Sequence, residues 1–329
     1  MMEQNPSDRF NAAPRLPKRL NVLPPNPEAL KEPSATHPGR FPSWLHRSLP
    51  KGAALVKTSD LLSQNRLHTV CEEAKCPNLL ECYSKQTATF LVMGRECTRS
   101  CGFCDIAYSK KPKELDPGEP DRVAASALAL NLKHVVVTMV ARDDLADGGA
   151  AHLAAILGAL KRTLPASTLE VLTSDFSGRL PSIDTVLEAG PQIFNHNIET
   201  VARLSPSVRH QATYERSLSI LSYVKGKGRA LVKSGLMVGL GETESEVFAA
   251  LDDLKRIGVD IVTIGQYLQP NFKKLAVKAF IPPDAFAKYE KYGQSIGLKY
   301  IYAGPFIRSS YNAGVVFEQS QHTLLIESL

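Results

Sequence analysis

From Thr87 onward, apolar residues fall into short runs, separated by stretches in which they recur every three or four positions. The runs TATFLVMG (from Thr87), HVVVTMV (from His134), LEVLTS, QIFNHNI, LVKSGLMVG, DIVTIGQYL and KYIYAG are rich in β-branched residues and read as strands. The intervening DRVAASALAL, AHLAAILGALKR, LPSIDTVLEA, YERSLSILSYVK, ETESEVFAALDDLKRIG and DAFAKYEKYGQSIG have the spacing of amphipathic helices. The fifth has Glu242, Thr243 and Glu244 near its start and Gly258 at its end, matching helix polarity and stop chemistry. Strands alternating with single helices predict parallel βαβ units, and six or seven in succession predict an α/β fold with a full or partial barrel. A doubly wound open sheet is the alternative. It is weakened because no glycine-rich dinucleotide fingerprint follows an early strand. Gly239-Leu240-Gly241 is no phosphate loop either, since no Lys-Ser/Thr follows it.

Polar residues sit just past the predicted strands: Arg142, Asp143 and Asp144; Asp175; Asn195, Asn197 and Glu199; Gly241 and Glu242; Gln266 and Gln269. In a barrel these ends converge on the face where active sites are built. Any one of them is explained as well by ordinary loop polarity. Their repetition over many strands favours a site.

The first 50 residues break the alternation and carry ten of the 22 prolines. That density prevents a continuous helix and predicts a flexible tail, without the apolar core of a secretory signal. Hydrophobic content of 43% and charged content of 22% are those of a globular chain. A net charge of +6 favours acidic partners, but no dense Lys/Arg tract points to nucleic acid. No apolar run is long enough to span a membrane, because Asn131, Lys133 and His134 break the best candidate. A reducing cytoplasm is the expected compartment, and there clustered cysteines are more often metal ligands than disulfides.

All six cysteines lie between Cys71 and Cys104, in two unlike trios. Cys71, Cys76 and Cys82 are spaced C-x₄-C-x₅-C, and Cys97, Cys101 and Cys104 are spaced C-x₃-C-x₂-C. A structural zinc site usually closes with four ligands through paired knuckles, and a second knuckle is missing. Three thiolates on a four-iron cluster leave one iron open to the amino and carboxylate groups of a small molecule.

The second loop, with Phe103 before its last cysteine, resembles the radical S-adenosylmethionine (SAM) superfamily. From about Trp44 onward the chain resembles lipoyl synthases, on CEEAKCPNLLEC, CTRSCGFCD, RDDLADGG, FNHNIET, KSGLMVGLGET, GQYLQP and GPFIRSSY. The resemblance implies a partial (β/α)6-type TIM barrel of the radical SAM type with N- and C-terminal extensions. The corresponding division is a proline-rich tail at 1–43, an extension with the first trio at 44–86, the barrel at 87–303 and a C-terminal extension at 304–329. It further implies insertion of two sulfur atoms at C6 and C8 of a protein-bound octanoyl-lysine. Unactivated C–H bonds there are beyond any side-chain base, so cofactors must do the difficult step. The implied cofactors are two [4Fe-4S] clusters and SAM, two molecules of which are consumed per lipoyl group. In that reading the cluster on Cys97, Cys101 and Cys104 reduces SAM to methionine and a 5′-deoxyadenosyl radical. The cluster on Cys71, Cys76 and Cys82 gives up sulfur.

Further roles follow from the same resemblance. Ser310, in Arg308-Ser309-Ser310-Tyr311, would ligate the fourth iron of the first trio's cluster. A serine near a chain end otherwise reads as a cap, and oxygen is a poor match for iron beside thiolates. Weak ligation suits an iron that must leave when sulfur is extracted. Phe103, Thr138, Asn197, Glu199 and Arg209 are candidate SAM contacts, and Arg308 a substrate contact. Asn197 and Glu199 alternate along FNHNIE and so face one side of a strand, with His196 facing the other in a structural role. Gly148 and Gly149 would let backbone approach methionine, or simply form a turn. Ala202, Ser205, Met139 and Ala141 depart from the family's usual residues, leaving the cluster ligands untouched. The implied partners are octanoylated carrier domains (2-oxoacid dehydrogenase E2 subunits and glycine cleavage H protein). An electron donor such as flavodoxin or ferredoxin and an iron–sulfur carrier protein complete the set, with no nucleic acid and no membrane. The rivals are another two-cluster sulfur-inserting radical SAM enzyme, such as a biotin synthase or tRNA methylthiotransferase, and a zinc-stapled binding protein.

Overall fold

In the computed structural model, which describes residues 41–46, 53–85 and 87–310, all seven predicted strands form. They are β1 (Thr89–Val92), β2 (His134–Met139), β3 (Thr168–Leu172), β4 (Ile193–Asn195), β5 (Leu231–Val238), β6 (Ile261–Gln266) and β7 (Tyr300–Gly304). Helix α1 (Ala53–Gln64) precedes the sheet. Between consecutive strands run α2 (Glu119–Ala129), α3 (Ala150–Thr163), α4 (Leu180–Glu188), α5 (Tyr214–Lys227), α6 (Glu244–Arg256) and α7 (Pro283–Ser295). The six expected helices are these last six. The proline-rich tail expected at 1–43 lies outside the described residues up to Arg40, as do Tyr311 and the remainder of the C-terminal extension.

Strand order settles the architecture. From β1 to β7 every neighbouring pair is parallel, and the order in the sheet follows the order in the chain without reversal. Right-handed crossovers in a sheet wound one way put every helix on the same face. Accordingly α2 packs on α3, α3 on α4 and α6 on α7. The other face is nonetheless closed off: all residues of β1, β4 and β6 are buried. A singly wound sheet buries that face by curling on itself, so this is a barrel of six strand–helix units plus a seventh strand, not a doubly wound sheet. Within the barrel, Lys233 of β5 sits 2.9 Å from Glu170 of β3, which also accepts from Asn195 at 3.0 Å. Burial works to raise the Glu170 carboxyl, but Lys233 and His134 outweigh it and hold the pKa below its usual value.

Local chemistry fixes the element ends. At α6, Thr243 caps the Glu246 amide while the Glu246 carboxylate bonds the Thr243 amide, a reciprocal capping box. Two strands are shorter than their apolar runs. β1 stops at Val92 because Met93 and Gly94 both turn into the left-handed region, with φ of 68° and 82°. β4 stops at Asn195, so Asn197 and Glu199 lie beyond the strand. The left-handed turn at Glu199 (φ 66°) returns the chain to β5, where it bridges Leu236. The alternation pattern missed one edge. His68–Thr69, only two residues long, pairs antiparallel with β1, placing Thr69 against Phe90. Two residues provide no periodicity to read, yet this pairing fixes where Cys71 begins.

Candidate active site

Both cysteine loops spring from β1, one from the strand itself and one from its antiparallel edge partner. The second trio's loop is anchored through its own backbone. Cys97 lies in a two-residue strand, Glu96–Cys97, that pairs with Ala107–Tyr108 and closes the loop on itself. Thr98 donates through its amide (3.0 Å) and hydroxyl (2.9 Å) to the Ala141 carbonyl beyond β2. Gly102 donates to Val208 and accepts from Leu275 (3.0 and 2.9 Å), so two other loops clasp its backbone. A Cβ at Gly102 would stand 2.9 Å from the Leu275 side chain, which explains the glycine.

Arg99 is the charged anchor of this loop. Its guanidinium binds Asp143 bidentately at 2.7 Å and Asp175 at 2.6 Å, and donates to Ser177 at 3.1 Å. Arg99 and Asp175 are fully buried, and Arg216 supplies Asp175 with a second cation at 3.0 Å. Burial tends to raise both carboxyls, yet Arg99 holds Asp143 and Asp175 well below the usual carboxylate range. The loop is thereby bolted to the ends of β2 and β3 by charge as well as by backbone.

The first trio sits on two short helices outside the sheet. Thr69 caps Val70–Glu73, which carries Cys71, and its hydroxyl meets the Tyr83 phenol at 2.8 Å. Cys82 lies in Leu79–Ser84, whose Tyr83 carbonyl accepts from Thr58 of α1 at 3.0 Å. Besides core packing and the edge pairing with β1, two polar contacts reach distant segments. Lys75 pairs with Asp105 (2.7 Å), the residue after Cys104, and Asn271 also binds Asp105. The buried Asn78 amide donates to the Phe306 carbonyl at 2.7 Å.

All six cysteines are free thiols. Burial is the main cause pushing Cys71 up to about 12 and Cys82 up to about 11, and the Cys76 charge adds to both. In the second trio burial pushes Cys101 up to about 11 and Cys104 up to about 12. Arg209 and Arg99 partly relieve Cys101, whereas Cys97 raises both. Within each trio the sulfurs are partly or wholly buried and raise one another's pKa. No set of three His, Cys, Asp or Glu side chains among the described residues is arranged around a metal ion. A polynuclear cluster, whose ligands bind different irons, asks for wider thiol spacing than one ion does. Soft sulfur donors in threes fit iron–sulfur chemistry.

The other expected residues divide into those near the second trio and those occupied elsewhere. Glu199 is close enough to Cys101 and Cys104 to raise both. Its carboxylate accepts from the Asn197 amide at 3.1 Å, so the two side chains do meet, by way of the turn rather than strand alternation. Burial pushes Glu199 up against the pull of Arg209 and Asn197. Arg209 is buried and donates to the Ala212 and Asn197 carbonyls and the Ser217 hydroxyl. Phe103 packs beside the small apolar cluster of Val208, Leu240 and Tyr267. Thr138 donates to the Leu172 carbonyl at 3.2 Å within the sheet. His196 is fully enclosed, its ring bonded to the Thr173 carbonyl and Ser217 hydroxyl, as its structural reading expects. Of the strand-end groups, Glu242, Gln266 and Gln269 fix turns and loops, and Asn195 faces Glu170. Gly149 has a packing reason: a Cβ there would strike the Met93 sulfur.

The C-terminal segment crosses the barrel mouth. Pro305 accepts from the Gln266 amide at 3.3 Å, and a Cβ on Gly265 of β6 would lie 2.1 Å from the Ile307 carbonyl oxygen. Arg308 donates to the Ile307 carbonyl at 2.7 Å, and Ser309 lies 3.5 Å from the Asn197 amide. Ser310, half-buried, is the last described residue.

Comparison with known proteins decides the lineage. Residues 91–254 match the radical SAM superfamily, and residues 26–76 match the N-terminal domain of lipoyl synthase of the radical SAM family. The chain is 60% identical over 319 residues to a lipoyl synthase of Protochlamydia amoebophila (strain UWE25), covering 96% of each chain. The chain belongs to the lipoyl synthase family. A lipoyl synthase of Chlamydia muridarum (strain MoPn / Nigg) is 51% identical over 299 residues, covering 90% of this chain and 97% of the relative. As a member, the protein is a radical SAM enzyme that inserts sulfur. The barrel resembles that of Streptococcus suis SuiB bound to S-adenosylmethionine, with a TM-score of 0.51 at 11% identity. That match covers 69% of this chain and 53% of SuiB, and it speaks for the fold alone.

Sequence reading missed Arg99, Asn78 and Asp105 as site-builders. Each stands inside or beside a cysteine motif, which is a signal of sorts. Their partners lie far along the chain, up to 228 residues away for Asn78, and nothing local predicts them.

Proposed function

We propose that this chain forms the lipoyl group in place, adding sulfur at C6 and C8 of an octanoyl chain carried on a lysine of a lipoyl carrier domain. The observation that carries the reading is the pairing of two separate thiol trios on either side of β1, joined through Lys75–Asp105. Cys97, Cys101 and Cys104 would hold the cluster that works with SAM, and Cys71, Cys76, Cys82 and Ser310 the auxiliary one. When bound, these groups supply a carbon-centred radical oxidant and the sulfur to be inserted.

The chain's own residues do the positioning. Arg99, neutralised by Asp143 and Asp175, fixes the second loop so that its thiols need not reorganise when loaded. Thiol protons must leave as iron binds, and Arg209 and Arg99 favour the anionic form at Cys101. Glu199 is a carboxylate short of full compensation, suited to the ammonium of SAM, while Asn197 offers an amide to a ribose hydroxyl. Arg209 supplies positive charge beside them, and Phe103 and Thr138 shape the wall. Arg308, whose guanidinium lies beside Gly265 of β6, would be the substrate contact. No side-chain base is needed, because hydrogen leaves as an atom. Octanoylated E2 and H-protein domains would be the substrates, with flavodoxin or ferredoxin as reductant, an iron–sulfur carrier for reloading, and the bacterial cytoplasm as the setting. Among the described residues no helix is long and apolar enough to cross a membrane.

The test is to incubate the anaerobically reconstituted protein with an octanoyl-lysyl carrier peptide, SAM and dithionite. Mass spectrometry should find two added sulfurs. SAM cleavage without sulfur on the peptide, or a protein that binds only zinc, would overturn the proposal.

A further inference from the structure

We infer that Asn78 is a positioning residue that couples the first-trio loop to the C-terminal segment, so that the placement of Ser310 depends on it. Asn78 occupies the cap position before Leu79–Ser84, where an asparagine oxygen normally accepts from the first helical turn. Here the backbone is helical (φ −93°, ψ −1°) and the side chain makes no cap bond. Its amide donates instead to the Phe306 carbonyl at 2.7 Å, across 228 residues of chain, from a side chain that is 1% exposed. A buried amide turned away from its local partner toward a distant carbonyl fixes one loop relative to another.

The far side of the segment is equally constrained. Gln266 holds Pro305, and only a glycine at 265 leaves room for the Ile307 carbonyl. Ser309 meets the Asn197 amide at 3.5 Å, beside Glu199. Residues 305–309 thus form a strap lying on β6 and tied at one point to the first trio's loop and at another to the second trio's surroundings. Asn78 stands between Cys76 and Cys82, so its bond carries any shift of that loop to the strap. This inference rests on the proposed role of Ser310 as a ligand beside the first trio. Residues that orient ligands rather than bind metal commonly govern how firmly metal is held.

Asn78→Asp keeps the shape and removes the donor. Hydrogen exchange of the intact protein should show protection over residues 304–310 falling about tenfold, the scale of one lost side-chain hydrogen bond. After reconstitution in a Cys97→Ala background, iron should pass to a chelator faster than from the Cys97→Ala parent. In the otherwise native chain, 5′-deoxyadenosine formation should stay within about twofold of wild type, as for sites that share no partner. If Asn78→Asp does not fold, Asn78→Ser gives the same readout. Unaltered exchange overturns the inference, as does raised exchange with unaltered iron release. Ser310→Ala separates the two claims: wild-type iron retention in that variant would remove the ligand role, while the Asn78 contact is judged by exchange alone.

Discussion

The two cysteine loops are neighbours in sequence and in space, yet they are held by opposite means. The loop from Cys97 to Cys104 is clamped by buried charge and backbone: Arg99 between two aspartates, Thr98 on Ala141, Gly102 between Val208 and Leu275. The loop from Cys71 to Cys82 stands on short helices that pack Cys71 and Tyr83 into the core, and its polar links to distant parts of the chain include the Lys75–Asp105 ion pair and the Asn78 amide. Burial raises thiols of both trios alike, but the charges around them differ in kind. Arg209 and Arg99 relieve Cys101 against Glu199, Glu72 adds to the rise at Cys71, and at Cys82 Glu81 and Lys85 oppose each other. A loop clamped by a buried ion-pair network suits the proposed SAM-side group, which is to be held in one geometry. A loop linked to the C-terminal strap suits the proposed auxiliary group, whose ligand Ser310 follows that strap.

The sharpest way to break this comparison is at the thiols themselves. Cys97→Ala should abolish SAM cleavage, read as 5′-deoxyadenosine by chromatography. Cys71→Ala should leave cleavage largely present and stop sulfur transfer. Equal loss in both, with folding intact, would erase the division of labour.

Next is the difference in anchoring. Arg99→Met leaves Asp143 and Asp175 without their main partner and should cost about 3–5 kcal/mol in chemical denaturation. Lys75→Ala removes an ion pair whose lysine is 58% exposed, and should cost no more than about 1 kcal/mol. Similar costs for the two would mean that buried charge is not what distinguishes the loops.

A smaller effect is set by pH. Burial first, and Arg209 second, lower His196 from 6.5 to about 4. The unfolded chain therefore takes up a proton that the folded chain refuses. Stability is fully present above pH 6.5 and is lost as pH falls toward 4, by roughly 3 kcal/mol from this one group. His196→Gln should flatten that slope in denaturation midpoints measured across the window. A slope that persists unchanged assigns it to other groups.

Much of the fold was legible because periodicity is local. Short β-branched runs and three-four spacing identify strands and helices whatever surrounds them, and Thr243 announces the start of α6. Boundaries were less legible where a turn overrode an apolar run. Met93 would extend β1 by pattern, yet it adopts φ 68°. The expected strand over Asn197 and Glu199 is a returning turn instead. The site was legible in its cysteines, whose count and spacing restrict the chemistry that can hold them. It was not legible in Arg99, which in sequence is one cation between two thiols.

By itself the sequence determined the alternation of elements, the two trios and their soft-donor chemistry, because these depend on residue type and short spacing. Only the tertiary structure decided that the sheet is wound one way into a barrel, since helix and strand patterns are the same for either winding. It alone decided that Asp143 and Asp175 meet Arg99, and that Asn78 reaches Phe306 across the barrel mouth. Those contacts arise from chain topology, which brings distant strand ends to one face, and no local propensity encodes them.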